Sequence, residues 1–185
     1  MQTALPASVD IMARTLWGEG RGTGAPGMSH IASVIINRAN HPRWWGNGVI
    51  GVCQAPWQFS CWNKSDPNHD KIIAVTEADG WFAIAVAIAN KAIAGMLPDA
   101  TGGADSYYAL SMATPPAWSR RGKETFRDAW HAFYRIELPL PGTDAPVAHN
   151  ASINSQTVAF APSVAAPAEQ SADDLNAAEL DKLKG

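Results

Sequence analysis

Glu19 is the carboxyl group in this chain whose sequence setting best suits acid–base chemistry. It follows an apolar stripe at helical spacing, formed by Val9, Met12, Ala13, Leu16 and Trp17. On a helix, Glu19 projects near this stripe and is partly removed from water. Desolvation favours a protonated carboxyl group, which is the form that a general acid needs near neutral pH. The local pattern alone also fits an ordinary solvated glutamate at a helix end.

The helix that carries Glu19 is expected over residues 10–19, with Ser8 as its N-cap. Glycines at positions 18, 20 and 22 are expected to end it, because glycine favours C-terminal caps and tight turns. We also expect the glycines after Glu19, at positions 20 and 22, to let a sugar approach the backbone. A second helix is expected to start near Pro26, and its apolar stripe runs into Asn37 and Arg38.

A third helix is expected from Gly80 to about Ala94, with Asp79 as its N-cap and Gly95 at its end. It is so apolar that we expect it to be the central buried helix. Residues 70–76 fit a helical turn.

Residues 39–69 show no sustained helical period and contain many glycine, proline and tryptophan residues. Residues 49–52 fit a very short strand or a turn. A loop of this length inside a compact domain is usually functional or disordered, and its tryptophans favour function. Further along, residues 118–127 are basic and expected to be exposed, while residues 130–136 fit a short strand or a final packed segment.

Composition indicates one domain and a tail. The chain has 185 residues, is 46% hydrophobic and carries a net charge of −3. Residues 1–138 hold 12 basic and 11 acidic residues, whereas residues 139–185 hold 2 and 6 and are rich in proline and alanine. We therefore expect a single domain over 1–138 and a largely disordered acidic tail over 139–185. No basic stripe is available to follow phosphates, which argues against a nucleic-acid partner.

The sequence shows no signal peptide, because the N-terminus lacks a basic segment followed by an apolar one. The apolar run over residues 81–94 is too short to span a bilayer. We expect no membrane insertion and a monomer that is made in the cytoplasm and released by phage lysis or another export route. All eight tryptophans precede residue 131, and exposed indoles are one way to bind carbohydrate.

Cys53 and Cys61 are the two cysteines of the chain. Their spacing is not that of a zinc site, and no second pair of Cys or His completes one. A short-range disulfide and two buried thiols remain equally open.

Four motifs in order resemble the SleB/CwlJ-type cell-wall hydrolases, which include spore-cortex-lytic enzymes and related bacterial and phage proteins. They are E-G-x-G, G-x-x-x-I-A-S-V-I-I-N-R, V-C-x-x-P-x-Q-F-S-C-W and G-A-D-S-Y-Y…H-A-F-Y, and together they span roughly residues 10–136. The resemblance implies a small, mainly α domain (α+β at most) of the lysozyme and lytic-transglycosylase group. It also implies cleavage of peptidoglycan glycan strands between N-acetylmuramic acid and N-acetylglucosamine, with no cofactor.

By position, the resemblance makes Glu19 the catalytic acid and assigns supporting or substrate-binding roles to a second set of residues. Asn37 and Arg38 match the pair that ends the second helix and are expected to brace Glu19. The substrate-binding candidates are Gln58, Phe59, Tyr107, Tyr108 and His131. Adjacent tyrosines in an extended segment point to opposite sides, so we expect one of the two to face the cleft.

The sequence departs from the family at Thr23, where relatives often have a second glutamate, and at Asp105-Ser106, where relatives tend to have Thr-His. Chemistry with a single acid is therefore favoured. A lytic transglycosylase needs one residue that acts first as acid and then as base, whereas most glycosidases need two carboxyl groups. If a second acid exists, Asp66 and Asp70 are the candidates.

Two other classes of protein compete with this interpretation. A noncatalytic peptidoglycan- or chitin-binding module would also suit the tryptophans and the acidic tail. A zinc amidase or peptidase built from His41, His69, Asp70 and His131 is disfavoured, because no pair of these residues has the spacing of a helical metal site.

Overall fold

The computed structural model describes residues 4–136, which form five α-helices, three short 3-10 helices and one three-stranded sheet. The α-helices are α1 (Ala7–Gly20), α2 (Gly24–Asn40), α3 (Gly48–Cys53), α4 (His69–Ala74) and α5 (Gly80–Ile93). The 3-10 helices are Arg21–Thr23, Ser60–Trp62 and Ala117–Arg121, and the strands are β1 (Ser106–Ala109), β2 (Gly122–Arg127) and β3 (His131–Ile136). The expectation of a mainly α fold with limited β structure is confirmed.

Helices α1, α2 and α5 pack together through their apolar stripes. The stripes bury Met12, Leu16, Met28, Ile31, Ile35, Phe82, Ala85 and Ala89. Asp79 caps α5 as expected, accepting a hydrogen bond from the Phe82 N–H at 2.9 Å. Helix α5 is buried on one side only, because Ile84 and Ile93 are each 37% exposed.

The start of α1 differs from the expectation. The helix begins at Ala7, so Ser8 lies inside it and does not cap it, and Pro6 occupies the N-cap position without a side-chain bond. Gly18 also lies inside α1, which continues to Gly20 before the 3-10 helix Arg21–Thr23. The helix end therefore comes two residues later than Gly18, and Glu19 belongs to its last turn.

The sheet has the order β1-β3-β2 with both pairs antiparallel. Side chains alternate across it, so that Phe133 and Tyr107 lie on one face and Tyr108 and Tyr134 on the other. The first face meets α2 at Val34. This sheet places Tyr107 on the side of the helices.

Two short elements were not expected from the sequence. Residues 49–52 belong to α3 rather than to a strand or turn. The basic segment 118–127 contains most of the 3-10 helix Ala117–Arg121 and the edge strand β2. The region 130–136 does contain a strand, and 70–76 contains most of α4. The proposed tail, 139–185, lies outside the described residues. Within residues 4–136, no helix is both long and apolar enough to cross a membrane.

Candidate active site

Glu19 lies in the last turn of α1, against the 3-10 helix Ser60–Trp62. Its Oε1 accepts a hydrogen bond from the backbone N–H of Cys61 at 3.1 Å. The Ser60 backbone N–H and the Cys61 thiol also bond the carboxyl group. The acid is therefore held by donors from a loop that lies 42 residues away in the sequence.

Burial raises the pKa of Glu19 above its ordinary value and is the strongest influence on it. The hydrogen bonds from Cys61 and Ser60 favour the charged form and oppose this shift, while the charge of Asp66 adds to it. The residue is still partly exposed, so a substrate oxygen has access to it. A protonated, accessible and positioned carboxyl group is what general acid catalysis requires.

The close contact between α1 and the 3-10 helix Ser60–Trp62, which holds Glu19, depends on Gly18. A Cβ atom at this position would lie 2.7 Å from Cys61 Cβ and 3.0 Å from Ile72 Cγ2. Gly20 is similarly enclosed, with Met28 Cγ and Ile31 Cδ1 each 3.0 Å from such an atom. Both glycines allow close packing inside the protein. Of the two glycines expected to open the backbone to a sugar, Gly20 is enclosed, whereas Gly22 borders open space.

Tyr107 is the tyrosine that faces Glu19. Burial raises the pKa of its hydroxyl well above the usual value, and the charge of Glu19 raises it further, while that of Arg38 opposes the shift. Its ring packs against His131 and Phe133, with ring centroids 5.3 and 5.6 Å away. The hydroxyl stays neutral at neutral pH and can donate a hydrogen bond.

Tyr108 points to the other face of the sheet, as strand alternation requires. It packs against Trp118 and stacks on Tyr134, with centroids 6.1 and 5.8 Å apart. Of the two candidate tyrosines, Tyr108 is therefore the one that packs, because its ring is buried on the face away from Tyr107.

Arg38 is a fully buried cation that joins three segments. Its Nε donates to the Asp105 carbonyl at 2.6 Å, and its Nη1 donates to Gln58 Oε1 at 3.4 Å. Its guanidinium lies 5.5 Å from the ring centre of Phe59 and 5.6 Å from that of Trp45. Burial lowers the pKa of Arg38 to about 10, which keeps it charged at neutral pH. The residue fastens the loop and the sheet to the end of α2.

Two of the expected substrate contacts, Gln58 and Phe59, lie in the interior. Phe59 is only 2% exposed and belongs to the core, so it does not bind substrate at the surface. Gln58 is also buried, and its side-chain oxygen is bonded to Arg38 rather than presented to a ligand. Both residues instead fix the loop that holds Glu19.

Asn37 and Arg38 act at a distance from Glu19. Asn37 Nδ2 donates to Asp99 Oδ2 at 3.1 Å and to the Ala104 carbonyl at 2.9 Å. These bonds tie the end of α2 to the segment before β1. The pair fixes the segment before Tyr107 and the loop that holds Glu19, so any support that it gives Glu19 is indirect.

His131 is a buried histidine at the edge of the site. It touches Tyr107 through its ring, and its Nδ1 has no hydrogen bond within the described residues, lying 3.7 Å from Asp128 Oδ1. Asp128 is instead bonded by His30 Nδ1 at 2.9 Å. Burial lowers the pKa of His131, so it is neutral at neutral pH. It supports the Tyr107 ring and does not reach the surface as a substrate-binding group.

Cys53 and Cys61 are both free and buried, so the disulfide alternative is wrong for this structure. Burial raises the pKa of the Cys53 thiol to about 12 and raises that of Cys61 further, because Cys61 also faces the charge of Glu19. Cys61 has a role that its spacing from Cys53 does not reveal, since its backbone and its thiol both bond the acid.

Two charged residues complete the surroundings of Glu19. Arg21 stacks its guanidinium 4.1 Å from the ring centre of Trp17 and bonds Asn68 Oδ1 at 2.8 Å. Asp66 accepts the Asn68 N–H at 2.8 Å, which forms the turn expected there. Sequence reasoning missed Arg21, although it lies inside the E-G-x-G motif.

Within the part of the chain that the structure describes, the candidate metal ligands form no cluster of three, and Asp70, the other candidate for a second acid, lies at the surface. Asp70 is fully exposed and bonds His69 Nδ1 at 2.9 Å. Among residues 4–136, no three His, Cys, Asp or Glu side chains lie close enough together to hold a metal ion. A cavity of about 260 Å³ lies beside Asp10 and Arg14 and includes none of the residues around Glu19.

The Cell Wall Hydrolase family model matches residues 22–134, a range that begins three residues after Glu19. The catalytic domain of the germination-specific lytic transglycosylase SleB from Bacillus anthracis is similar in structure, with a TM-score of 0.56 and 26% identity, covering 73% of this chain and 100% of that domain. The catalytic domain of Bacillus cereus SleB gives a TM-score of 0.55 and 26% identity, covering 73% of this chain and 98% of that domain. No curated protein matches the chain significantly.

Proposed function

The chain belongs to the Cell Wall Hydrolase family, and from this membership we propose that it cleaves peptidoglycan glycan strands between N-acetylmuramic acid and N-acetylglucosamine as a lytic transglycosylase. The observation that carries the proposal is the environment of Glu19, a carboxyl group with a raised pKa that remains partly exposed and is held by the loop that contains Cys61. The likeness to the Bacillus anthracis lytic transglycosylase domain supports the same reaction.

Glu19 serves first as acid and then as base in this reaction. It gives its proton to the glycosidic oxygen as the bond from that oxygen to C1 of the muramoyl sugar breaks, and the N-acetylglucosamine part leaves as an alcohol. The muramoyl C6 hydroxyl then bonds to C1 and passes its proton to the Glu19 carboxylate. The acid is restored, and the product carries a 1,6-anhydro ring.

The groups around Glu19 fit both roles. Burial favours the protonated acid before cleavage, whereas the N–H groups of Ser60 and Cys61 stabilise the carboxylate formed after it. The neutral Tyr107 hydroxyl lies on the Glu19 side of the sheet and can donate to a sugar oxygen. Arg38 holds the loop that contains Gln58 against the segment before β1. It donates no proton in the reaction, because it stays charged.

A muramidase with two carboxyl groups is the second candidate, and Asp66 is the observation that favours it. Its charge acts on Glu19, and it is partly exposed beside the same loop. An inverting or retaining glycosidase requires such a partner to activate water or to form a covalent intermediate. Asp66 is already engaged in the turn with Asn68, which supports the single-acid reaction instead.

Mass spectrometry of the fragments released from purified peptidoglycan sacculi tests the proposal. We expect fragments with 1,6-anhydromuramoyl ends and none after Glu19→Gln, which has nearly the same shape but cannot donate this proton. Fragments with reducing muramoyl ends would establish the muramidase instead. Retained turnover in Glu19→Gln would reject Glu19 as the acid, and release of no fragments by the parent protein would favour a noncatalytic binding module.

The substrate also sets where the protein acts. Peptidoglycan lies outside the cytoplasmic membrane, so the enzyme works in the periplasm or the cell wall after phage lysis or another export route releases it from the cytoplasm. We propose that it acts as a monomer. Size-exclusion chromatography with light scattering measures this directly.

A further inference from the structure

Trp57 occupies a turn position that normally suits glycine. The Gln58 N–H donates to the Ala55 carbonyl at 3.1 Å, which closes a four-residue turn with Pro56 and Trp57 at its centre. Proline at the second position and a positive φ at the third are the features of a type II turn. Trp57 has a φ of 65° and is the one non-glycine residue with a positive φ between residues 4 and 136.

The folded protein gains little from an indole at this position. A bulky side chain in the left-handed region costs stability relative to glycine or asparagine. Burial against the core could offset this cost, but Trp57 is 70% exposed, the highest exposure among the large apolar side chains of the described residues. Strain that burial does not offset is found mainly at sites that contact ligands.

The turn lies directly before the residues that hold Glu19. Gln58 and Phe59, the next two residues, are buried and held by Arg38. The residues after them, Ser60 and Cys61, bond Glu19. Three Cα steps separate Trp57 from Ser60, so their Cα atoms are at most about 11 Å apart. The backbone that carries the indole is therefore fixed at a position within reach of a glycan chain whose scissile bond lies at Glu19.

We propose that Trp57 is a substrate-contacting residue, whose exposed indole stacks against the apolar face of a sugar ring of the glycan strand away from the scissile bond. The inference rests on the proposed function and adds a binding subsite to it. An aromatic ring suits this task because it covers a sugar face with little loss of conformational freedom. The residue takes no part in proton transfer.

Binding of the inactive Glu19→Gln protein to purified sacculi measures this contact without turnover. Adding Trp57→Asn should weaken binding roughly tenfold, since covering one face of an exposed indole removes on the order of 50–60 Å² from water. Asparagine tolerates a positive φ, so the thermal midpoint should stay equal or rise. Trp57→Phe should restore most of the binding, whereas Trp57→Leu, which keeps the backbone strain and the apolar character, should not.

Met96→Ala is the matched control. Met96 is 67% exposed, and its N–H bonds the Lys91 carbonyl at the end of α5, so it belongs to another surface element. This variant should bind as the parent does. In the active enzyme, Trp57→Asn should raise the sacculus concentration for half-maximal rate about tenfold and change the limiting rate less than about threefold.

Equal binding by the Asn and parent proteins, or by the Leu and Phe variants, would overturn the inference. A loss confined to the limiting rate would also overturn it, because that pattern belongs to the proton-transfer machinery. Failure of the proposed function has a different signature, which is turnover by the Glu19→Gln protein.

Discussion

Gly18 of α1 and Cys61 of the facing 3-10 helix lie so close together that no side chain fits between them. A Cβ atom on Gly18 would lie 2.7 Å from Cys61 Cβ and 2.9 Å from Cys61 Sγ. Cys61 in turn donates its backbone N–H to Glu19, the residue after Gly18. The absence of a side chain at one position therefore sets the geometry of the acid at the next.

Gly18→Ala should be destabilising even though alanine is the better helix former. In an exposed helix this change stabilises by up to about 1 kcal/mol, but overpacking here should cost roughly 1–3 kcal/mol. Gly22→Ala is the control, because nothing lies within 4 Å of its added methyl group. Urea unfolding of both variants measures the difference. A Gly18→Ala protein as stable as the Gly22→Ala protein would show that the loop moves away freely.

The helical part of the fold could be predicted because its signal is local. The apolar stripes of α1, α2 and α5 repeat at the helical period, and Asp79 and Gly95 mark the start and end of α5. The alternation of Tyr107 and Tyr108 also followed from local geometry, since adjacent strand residues point to opposite faces. Glu19 was found by this route together with the family motifs.

The parts that could not be predicted depend on contacts distant in sequence. The segment 49–52 is too short to show a helical period in its apolar residues. Packing of Val52 and Cys53 in the core stabilises α3 instead. Arg38 has a charged side chain, yet it is fully buried because Gln58 and the Asp105 carbonyl come to it from elsewhere in the chain. The motif that contains Gln58 and Phe59 indicated importance, but it could not separate substrate contact from packing.

Glu19→Gln should stabilise the protein at neutral pH. Burial raises the pKa of Glu19 in the folded state, so the fold favours the protonated form. The resulting penalty is absent below the ordinary glutamate pKa and grows as pH rises through the folded-state pKa. Glutamine has no charge to desolvate and can still accept the Cys61 N–H. We expect a gain of roughly 0.5–2 kcal/mol at pH 7 that disappears near pH 4.

Thermal unfolding of both proteins between pH 4 and pH 8 measures this difference. Glu124→Gln is the matched control. The hydrogen bond from Arg127 lowers the pKa of Glu124, so its pKa is shifted in the direction opposite to that of Glu19. That variant should be no more stable than the parent at pH 7. A Glu19→Gln protein less stable than the parent throughout the range would contradict the buried-acid account.

Reducing agents should leave stability and activity unchanged, because both cysteines are free and buried. A thiol titration should find both groups unreactive in the folded protein and both reactive in denaturant without a reductant. The raised pKa values of the two thiols add to this protection, since the thiolate is the reactive form. A reductant-induced loss of about 2–4 kcal/mol in the free energy of unfolding would instead indicate a disulfide.

Arg38→Lys should be strongly destabilising despite keeping the charge. A lysine ammonium cannot reproduce the planar donor set that reaches the Asp105 carbonyl and Gln58 while it lies near the rings of Phe59 and Trp45. Losing partners around a buried cation should cost about 3–5 kcal/mol. Lys91→Arg, on the exposed side of α5, is the control and should be neutral. Differential scanning calorimetry compares the two, and equal midpoints would contradict the role of Arg38 in joining the loop to the sheet.

Asp66→Asn separates the single-acid reaction from the reaction with two carboxyl groups. The charge of Asp66 raises the pKa of Glu19, so its removal should lower that pKa. If Glu19 acts alone, the alkaline limb of the pH–rate profile should move to lower pH while most of the maximal rate is kept. Asparagine can still accept the Asn68 N–H, so the turn should survive. Asp70→Asn, at an exposed carboxylate, should leave both the profile and the rate unchanged.

The two mechanisms differ most clearly at the acid end of the profile. There Glu19 is protonated in both proteins, so a single-acid enzyme carrying Asp66→Asn should match the parent rate. An enzyme that needs Asp66 as base or nucleophile should instead lose about 10²–10⁴ in rate at every pH, as general acid–base catalysis is worth that much. Binding to sacculi, measured on the same preparations, shows that a slow variant is still folded. A rate loss without a loss of binding would make Asp66 the second acid, and the muramidase would replace the lytic transglycosylase.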